Sequence, residues 1–398
     1  MTTLRVDVMV IGGGPAGLIA ARELRRADSG LDVLVVERDR AIGAPVRCGE
    51  GVGSAGLHEF LSPDDGAFIA RRITRVIFRA PDGSEVRVAE GDVGYVLDRT
   101  RFEPVLAAQA GAEGAVVRTD TEAVNATRIP GAPPGGHAWR VSLDGNAGPQ
   151  IVDTRVIIGA DGVEGMVGRW VGLDTRVPSR DMESCAQYVV AGIDFDPAAI
   201  YLHFGERIAP GGYAWVFPKD IGVANVGLGL VALHADGRSA RAYLEDYLDL
   251  NYPCGTRTGY TVGGVIVHTT VKRTVADGAV LCGDSAHMIN PLSGGGIVNA
   301  MKAGRLAANV IASALRAHDT SAARLQRYHD DWMALLGDDH VRFYRVKEAL
   351  NKLDDEFFNG LARTVSRIPE TKRTLGRIFA HAMVKHPSLM PVILKYFA

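Results

Sequence analysis

The sequence predicts an α/β fold: a mostly parallel nucleotide-binding sheet covered by helices, a second sheet of antiparallel strands, and a helical C-terminal region. Three observations predict it. An apolar run at residues 5–11 leads into glycines and then into helical spacing over residues 15–28. Residues 184–232 alternate apolar and polar side chains, as half-buried strands do. Beyond residue 320 the chain has helical character and carries many aromatic side chains.

The composition is that of an ordinary globular protein. The chain has 398 residues, of which 47% are hydrophobic and 23% charged, with a formal net charge of -2. This balance gives no electrostatic basis for nucleic-acid binding. No run of about 18 apolar residues suggests a membrane span, and no signal peptide precedes the first strand. The four cysteines are far apart and have no metal-ligand spacing. We therefore expect a reduced, cytoplasmic protein without a metal site.

The N-terminal glycines predict a site for a dinucleotide. Gly12, Gly14 and Gly17 follow a strand, precede a helix and fit the pattern G-x-G-x-x-G. In this Rossmann-like arrangement the first glycine permits a tight turn, the second lets the backbone approach a pyrophosphate, and the third brings helix and strand together. Glu37 ends the next predicted strand, at residues 32–37, and its carboxylate is placed to bind ribose hydroxyls.

A second glycine-rich segment, near residue 290, indicates that the dinucleotide is FAD. Asp284 follows a short apolar strand and can bind a ribityl chain, although a turn or helix-capping role also fits this residue. Gly294, Gly295 and Gly296 then open a helix predicted to run to about residue 316. The N-terminus of that helix would face the pyrimidine edge of a flavin, where the reduced ring carries negative charge. A simple nicotinamide dehydrogenase has no use for this second element.

Two further charged residues follow or precede predicted elements. Arg99 comes just before a helix at residues 100–112, and it suits either the flavin chain and phosphates or a surface ion pair. Asp161, in the segment Gly-Ala-Asp-Gly, suits either a hydroxyl-rich cofactor or an Asx turn.

The loop Pro-Val-Arg-Cys-Gly-Glu-Gly is the first candidate for chemistry. It lies within residues 43–56, which are glycine-rich and predicted to contain no regular element. Gly49 and Gly51 indicate close backbone approach to something flat or bulky. Arg47 would favour a reactive thiolate at Cys48 if the two side chains are close. Cys48 is thus either a functional thiol beside the flavin or a buried bystander.

The strand Tyr-Ala-Trp-Val-Phe-Pro-Lys is the second candidate. Tyr213, Trp215 and Phe217 alternate along it and therefore share one face. Three aromatic rings on one face can form a slot for a flavin ring or a long apolar substrate, or an ordinary core. Glycines before the strand and a proline near its end favour a position at the rim of a cavity.

Together these motifs resemble those of the geranylgeranyl reductase family of flavoproteins. The segments PVRCGEG, GYVLDR, GADG, YAWVFPK and CGDSAHMINPLSGGGI carry the resemblance, which runs from residue 5 to about 318. It is strongest to the archaeal-type digeranylgeranylglycerophospholipid reductases, which share the fold of the p-hydroxybenzoate hydroxylase superfamily. One position departs from the superfamily pattern, because Gly165 stands where serine is usual.

The resemblance implies an enzyme that hydrogenates the trisubstituted C=C bonds of geranylgeranyl chains, using FAD that an external donor has reduced. Tyr213 and Trp215 would then line a lipid cavity, and together with Cys48 they are the candidate catalytic residues. A contact beside the adenine is expected near Ala123. The FAD contacts implied by the resemblance are Ala16, Glu37, Cys48, Gly49, Gly51, Arg99, Asp284, Gly296 and Ile297.

The same fold class predicts how the chain is divided. Residues 1–170 and 267–318 would form the FAD-binding domain, residues 171–266 the substrate domain, and residues 319–398 the helical C-terminal region. A substrate that is a lipid implies peripheral contact with a membrane. The apolar last twenty residues suit such contact and suit a packed terminal helix equally well.

Three matters stay open at the level of sequence. The runner-up function is an FAD-dependent aromatic hydroxylase of the same superfamily, which would consume O2. The electron donor is either ferredoxin-like or NAD(P)H, and the absence of a second glycine fingerprint favours the former. Tyr213, Cys48 and ordered water are all candidates for the proton donor.

Overall fold

The computed structural model describes residues 3–63, 66–133, 135–146, 148–369 and 373. Within these residues the chain forms sixteen strands. In chain order they are β1 (Leu4–Ile11), β2 (Val33–Val36), β3 (Gly51–Gly53), β4 (Ile69–Arg79), β5 (Glu85–Leu97), β6 (Val116–Arg118), β7 (Thr121–Arg128), β8 (Trp139–Gly145), β9 (Gln150–Gly159), β10 (Met182–Ala191), β11 (Ala199–His203), β12 (Tyr213–Asp220), β13 (Val223–Val231), β14 (Thr256–Ile266), β15 (Val275–Ala276) and β16 (Ala279–Leu281).

Nine α-helices occur in the same described part of the chain. They are α1 (Pro15–Ala27), α2 (Ser54–His58), α3 (Arg99–Ala112), α4 (Val167–Trp170), α5 (Ala240–Asn251), α6 (Ile297–Arg316), α7 (Ala322–Trp332), α8 (Asp338–Leu350) and α9 (Asp355–Ser366). A turn of π-helix at Met333–Gly337 joins α7 to α8.

The first sheet confirms the predicted nucleotide-binding unit. Its parallel strands lie in the order β16-β9-β1-β2-β6, with β15 paired to β16 and an antiparallel pair, β7 and β8, attached to β9. All four residues of β2 are buried, as expected for a parallel strand with helices on both faces. Helices α1 and α6 pack against each other.

The second sheet has the order β14-β10-β13-β12-β11-β4-β5-β3. Its pairings are antiparallel except between β11 and β4. The antiparallel sheet predicted from residues 184–232 is therefore confirmed within that stretch, and the parallel pair joins it to β4. The predicted stretch at residues 184–232 supplies only the central strands. The remaining strands come from residues 51–97, which the predicted domain division placed with the nucleotide-binding unit, and from β14.

Two predicted boundaries are corrected. Residues 43–56 were expected to contain no regular element, but they include β3 and the start of α2. Strand β3 exists because its backbone pairs with β5, Gly51 lying opposite Val96, which is a tertiary contact that the glycine content conceals. Helix α6 begins at Ile297, two residues after the start near Gly295 that the glycine-rich segment predicts, since Gly294 has a φ of +67° and Gly296 caps the helix.

The helical C-terminal region is confirmed as far as the described residues extend. Trp332 and Tyr328 of α7 are fully buried against the first sheet, and the hydroxyl of Tyr328 donates a hydrogen bond to the carbonyl oxygen of Leu281, 2.9 Å away. None of the described helices is both long and apolar enough to cross a bilayer. The last twenty residues, singled out for membrane contact, lie outside the described residues.

Candidate functional site

The glycine turn between β1 and α1 has the geometry that its spacing predicts. Gly12 has a φ of +110°, and a Cβ there would overlap the carbonyl oxygen of Ala160. A Cβ on Gly17 would overlap the carbonyl oxygen of Gly12. A Cβ on Gly14, in contrast, would meet no protein atom within 4 Å. Two glycines are therefore needed for packing, and the third leaves open space at the helix N-terminus.

Glu37 supports this turn from the end of β2. Its Oε2 accepts a hydrogen bond from the backbone N–H of Gly13 at 2.7 Å, and its Oε1 accepts one from the N–H of Asp39 at 2.9 Å. Each carboxylate oxygen can accept a second hydrogen bond, so Glu37 can still bind a ribose hydroxyl. That contact stays a prediction. Ala123 lies in β7, opposite Leu143, and its adenine contact also stays a prediction.

The two glycine-rich segments, far apart in the chain, meet beside a cavity of about 460 Å³. A Cβ on Gly283 would lie 3.2 Å from the Cβ of Ala16, and a Cβ on Gly304 of α6 would overlap the carbonyl oxygen of Ala16. This close packing holds the start of α1 against Gly283 and against the interior of α6 at Gly304. Among the predicted site residues, those that line the cavity are Arg47, Cys48, Gly49, Gly51, Arg99, Tyr213, Trp215, Asp284, Gly294, Gly295, Gly296 and Ile297.

Asp284 points into this cavity next to the N-terminus of α6. A Cβ on Gly296 would lie 3.4 Å from Oδ1 of Asp284. Burial raises the pKa of the Asp284 carboxyl, and the charge of Arg99 acts in the opposite direction. No described residue donates a hydrogen bond to the Asp284 side chain. A carboxylate that lines a cavity without a protein donor can accept a hydrogen bond from a ligand hydroxyl.

Arg99 lies inside the protein and not in a surface ion pair. Its guanidinium bonds to the carboxylate of Glu103, which is almost fully buried. Burial opposes the charge of Arg99, but Glu103 and Cys48 raise its pKa above the usual value. Arg99 is thus a fixed positive charge beside the cavity, facing the thiol of Cys48.

The cation next to Cys48 is Arg99, which corrects the expectation for Arg47. The Arg47 side chain is half exposed and lies 3.7 Å from Oε2 of Glu164. The Sγ of Cys48 instead accepts a hydrogen bond from the backbone N–H of Glu50 at 3.2 Å.

The flat body that approaches Gly49 and Gly51 is an aromatic ring of the same chain. A Cβ on Gly49 would lie 2.9 Å from Cε2 of Phe217, and one on Gly51 would lie 3.0 Å from the same atom. The glycines allow this loop to lie against the aromatic face of β12. The contact with Phe217 is sufficient to explain why both positions are glycine. Their contact with a cofactor stays a prediction.

Tyr213, Trp215 and Phe217 form the predicted aromatic face. The ring centroids of Tyr213 and Trp215 are 6.0 Å apart, and those of Trp215 and Phe217 are 6.3 Å apart. The Tyr213 hydroxyl donates a hydrogen bond to the carbonyl oxygen of Ser293 at 2.6 Å. This bond ties β12 to the segment that precedes α6.

A hydrogen-bonded chain joins the same face to the cysteine loop. Nε1 of Trp215 donates to Oε1 of Gln187 at 2.9 Å, and Nε2 of Gln187 donates to the carbonyl oxygen of Cys48 at 3.1 Å. Gln187 was not among the predicted site residues. It fixes the plane of the indole ring and the position of the loop at the same time.

Glu50 is a second residue that the sequence motifs did not single out. It is 3% exposed, and its φ is +71°. Its carboxylate accepts hydrogen bonds from the N–H of Arg99 at 2.8 Å, from Nζ of Lys219 at 2.6 Å and from Nδ2 of Asn225 at 2.7 Å. Glu50 therefore anchors the cysteine loop to both α3 and the second sheet. The signal that could have identified it is a charged residue between two glycines.

One carboxylate oxygen of Asp161 caps a helix, and the other is buried without a hydrogen-bond partner among the described residues, so its contact with a cofactor stays a prediction. Its Oδ2 accepts hydrogen bonds from the N–H of Met166 at 2.6 Å and of Val167 at 2.9 Å, at the start of α4. A Cβ on Gly165 would lie 2.6 Å from Cγ of Asp161. This crowding explains why residue 165 is glycine and not the usual serine.

The geometry of this site fits FAD. The turn before α1 leaves room at Gly14 for a pyrophosphate next to the free N–H groups of a helix N-terminus. The Asp284 carboxylate and the N-terminus of α6 face one cavity, which Pro15 at the start of α1 also lines. The two features match the phosphates and the hydroxyl-rich chain of one molecule.

Comparison with known proteins gives the same picture. Residues 181–265 match the model of the geranylgeranyl reductase catalytic domain, and residues 10–58 match an NAD(P)-binding Rossmann-like domain. A digeranylgeranylglycerophospholipid reductase of Methanosphaerula palustris is 40% identical over 392 residues, which cover 96% of each chain. A geranylgeranyl bacteriochlorophyll reductase-like protein of Thermoplasma acidophilum has a crystal structure with 31% identity and a TM-score of 0.90, covering 98% of this chain and 100% of its own.

The myxobacterial chondrochloren halogenase, an FAD-dependent enzyme, is 18% identical with a TM-score of 0.69, covering 86% of this chain and 83% of its own, and shows the shared fold alone. Fold and site together define an FAD-dependent oxidoreductase with the fold of the p-hydroxybenzoate hydroxylase superfamily. Within that class, the chain belongs to the geranylgeranyl reductase family.

Proposed function

We propose that this protein reduces C=C bonds in the geranylgeranyl chains of archaeal-type glycerophospholipids. The observation that carries the proposal is the single cavity that joins the flavin-binding segments to the aromatic face of β12. An isoprenoid chain has no polar group along its length, so it needs an apolar channel with aromatic walls. The relatives described above are named for this activity.

The residues of the chain would share the work as follows. Gly14 and the N-terminus of α1 hold the pyrophosphate, and Asp284 binds the chain of hydroxyls. Reduced FAD supplies a hydride equivalent when it is bound. Tyr213 and Trp215 orient the alkene, and their faces stabilise positive charge that develops at its tertiary carbon. Cys48 lies beside Arg99 at the end of the cavity where the flavin-binding segments meet.

A lipid substrate favours contact with a membrane surface. Each reduced C=C bond also consumes two electrons, which must come from outside the chain. An external donor, of the ferredoxin-like or NAD(P)H type, would reduce the flavin. Peripheral attachment would let a chain of the lipid enter the cavity without leaving the bilayer completely.

The test is anaerobic reoxidation of the reduced holoenzyme by a digeranylgeranylglyceryl phospholipid in detergent micelles. We expect the yellow colour to return with the addition of one H2 per reduced bond, measured by mass spectrometry. Deuterium placed on the reduced flavin should appear in the product. An aromatic hydroxylase would instead consume O2 in step with product and would leave the lipid unchanged.

A further inference from the structure

Glu183 is a buried carboxylic acid that faces the cavity and has no assigned role. It lies on β10 and is 9% exposed. Side chains alternate along a strand, so Glu183, Cys185 and Gln187 share one face, and all three line the cavity. This is the face on which Gln187 meets Trp215.

A glycine on the neighbouring strand leaves the space that the Glu183 side chain occupies. Gly229 of β13 lies opposite both Cys185 of β10 and Tyr213 of β12. A Cβ on Gly229 would lie 3.0 Å from Oε2 of Glu183 and 3.0 Å from Sγ of Cys185. The carboxyl group therefore extends over the bare backbone of β13, towards the aromatic strand.

No described residue forms a hydrogen bond or an ion pair with the Glu183 carboxyl. The cation that faces it is Lys347 of α8, whose ammonium is bound to Oδ1 of Asp181 at 2.7 Å and to the carbonyl oxygen of Val267 at 2.9 Å. Burial consequently raises the pKa of Glu183 to about 7, with Lys347 acting in the opposite direction. A carboxyl group in this environment holds a proton near neutral pH and can release it.

Two titratable groups on the neighbouring cavity wall, Tyr213 and Cys185, are poorer acids. The Tyr213 hydroxyl already donates to Ser293, and burial raises its pKa. Burial also raises the pKa of the Cys185 thiol. Cys48, which also lines the cavity, lies against the cation of Arg99.

We propose that Glu183 is the acid that protonates the substrate alkene. The proposal rests on the proposed function. Reduction of the alkene breaks its π bond and forms two C–H bonds. The two electrons and one hydrogen arrive as a hydride equivalent from reduced flavin, and the O–H bond of Glu183 breaks to give a proton to the other carbon. The carboxylate that remains takes a proton from water, which can enter at β14, where the exposed Val262 lines the cavity.

The test compares Glu183→Gln with wild type and with Glu206→Gln, a control on an exposed residue. Glutamine keeps the shape of the side chain but cannot act as the acid. The holoenzymes are reduced, mixed anaerobically with the digeranylgeranylglyceryl phospholipid, and followed by flavin absorbance in a single turnover. We expect E183Q to bind FAD and lipid normally and to react at least about 100-fold more slowly, the usual contribution of a general acid. The wild-type rate should fall as the pH rises above 7, and the residual rate of E183Q should be independent of pH in that range.

A second measurement needs no turnover. Infrared difference spectra between pH 5 and pH 9 should show the C=O stretch of a protonated carboxyl that is present in wild type and E206Q and absent in E183Q. Wild-type rates in E183Q, or spectra that do not differ between E183Q and wild type, would overturn the proposal. If wild type itself fails to react with any geranylgeranyl lipid, the proposed function fails, and the infrared spectra still decide whether Glu183 holds the proton.

Discussion

The ammonium group of Lys219 lies 2.6 Å from Oε2 of Glu50, and this ion pair joins the end of the aromatic strand β12 to the loop that carries Cys48. Glu50 is buried, and its neighbours Gly49 and Gly51 touch Phe217 of the same strand. The pair therefore holds the cysteine loop against the aromatic face at two points. The lysine that ends the Tyr-x-Trp-x-Phe-Pro-Lys motif is thus a part of the site's framework.

Replacing Lys219 by methionine should destabilise this framework. The substitution leaves the Glu50 carboxylate buried with only its neutral hydrogen bonds, and removal of one partner of a buried ion pair costs about 3 kcal/mol. We expect a lower free energy of unfolding in guanidinium chloride and weaker binding of FAD, measured by titration.

The matched control is Lys302→Met, because Lys302 pairs with Glu59, 2.7 Å away, and Glu59 is exposed and keeps Arg305 as a second partner. Pairs to such an exposed carboxylate contribute less than about 1 kcal/mol. The double variant Glu50→Gln with Lys219→Met should recover part of the lost stability. Equal losses in the free energy of unfolding for K219M and K302M would contradict the role of Lys219 in the framework of the site.

Alanine substitutions at the glycines of the turn before α1 should affect protein stability and cofactor binding differently. A methyl group at Gly14 meets no protein atom within 4 Å, and the backbone there, with φ −80° and ψ −177°, suits alanine. We expect Gly14→Ala to leave the stability of the flavin-free protein unchanged or raised by up to about 1 kcal/mol. Its affinity for FAD should fall at least about 10-fold, since the methyl group fills the space of the pyrophosphate.

Gly17→Ala is the comparison, because its methyl group would overlap the carbonyl oxygen of Gly12. This variant should lose stability by more than about 1 kcal/mol even without cofactor. Thermal unfolding of the two flavin-free variants, followed by FAD titration, gives both quantities. Similar stability of G14A and G17A would show that the turn is not packed as described.

Asp284 should lower the stability of the flavin-free protein and should bind FAD in the holoenzyme. Burial raises its pKa, so the stability it contributes is present at low pH and is lost as the pH rises past the pKa of the folded state. Asp284→Ala should therefore be more stable than wild type at neutral pH without FAD, and nearly equal to it at low pH.

The same variant should bind FAD at least about 10-fold more weakly, the effect of losing a hydrogen bond to a charged group. Asp284→Asn, which keeps an acceptor oxygen, should lie between the two. Isothermal titration with FAD measures the affinities, and unchanged binding in D284A would remove this residue from the site.

Local motifs could be recognised in the sequence, and the pairing of strands that are distant in the chain could not. Gly12, Gly14 and Gly17 were predicted correctly in their positions because a turn between strand and helix is set by residues within one short segment. Strand β3 was missed because it forms by pairing with β5, and the strand pair β4 and β11 joins segments more than a hundred residues apart.

The site shows the same division. The aromatic face of β12 follows from alternation along one strand, so Tyr213 and Trp215 could be placed together. Glu183 could not be identified in this way. Its significance depends on its burial, on the absence of a side chain at Gly229 and on the engagement of Lys347 by Asp181, and both Gly229 and Lys347 are far from it in sequence.

The pH dependence of stability gives a test of Glu183 that is independent of catalysis. Its pKa is raised from 4.5 to about 7 in the folded protein, so the native state holds this proton over a range in which the unfolded chain has released it. Wild type is therefore fully stable, with respect to this group, below pH 4.5 and loses stability as the pH rises through 7. Glu183→Gln does not titrate, and the difference in free energy of unfolding between E183Q and wild type should grow from near zero to about 3 kcal/mol above pH 8. Denaturant unfolding at several pH values measures this difference, and the contributions of other titrating groups cancel in it. E206Q is the control for a substitution on an exposed residue. A difference for E183Q that does not change with pH would mean that Glu183 is ionised in a solvated position.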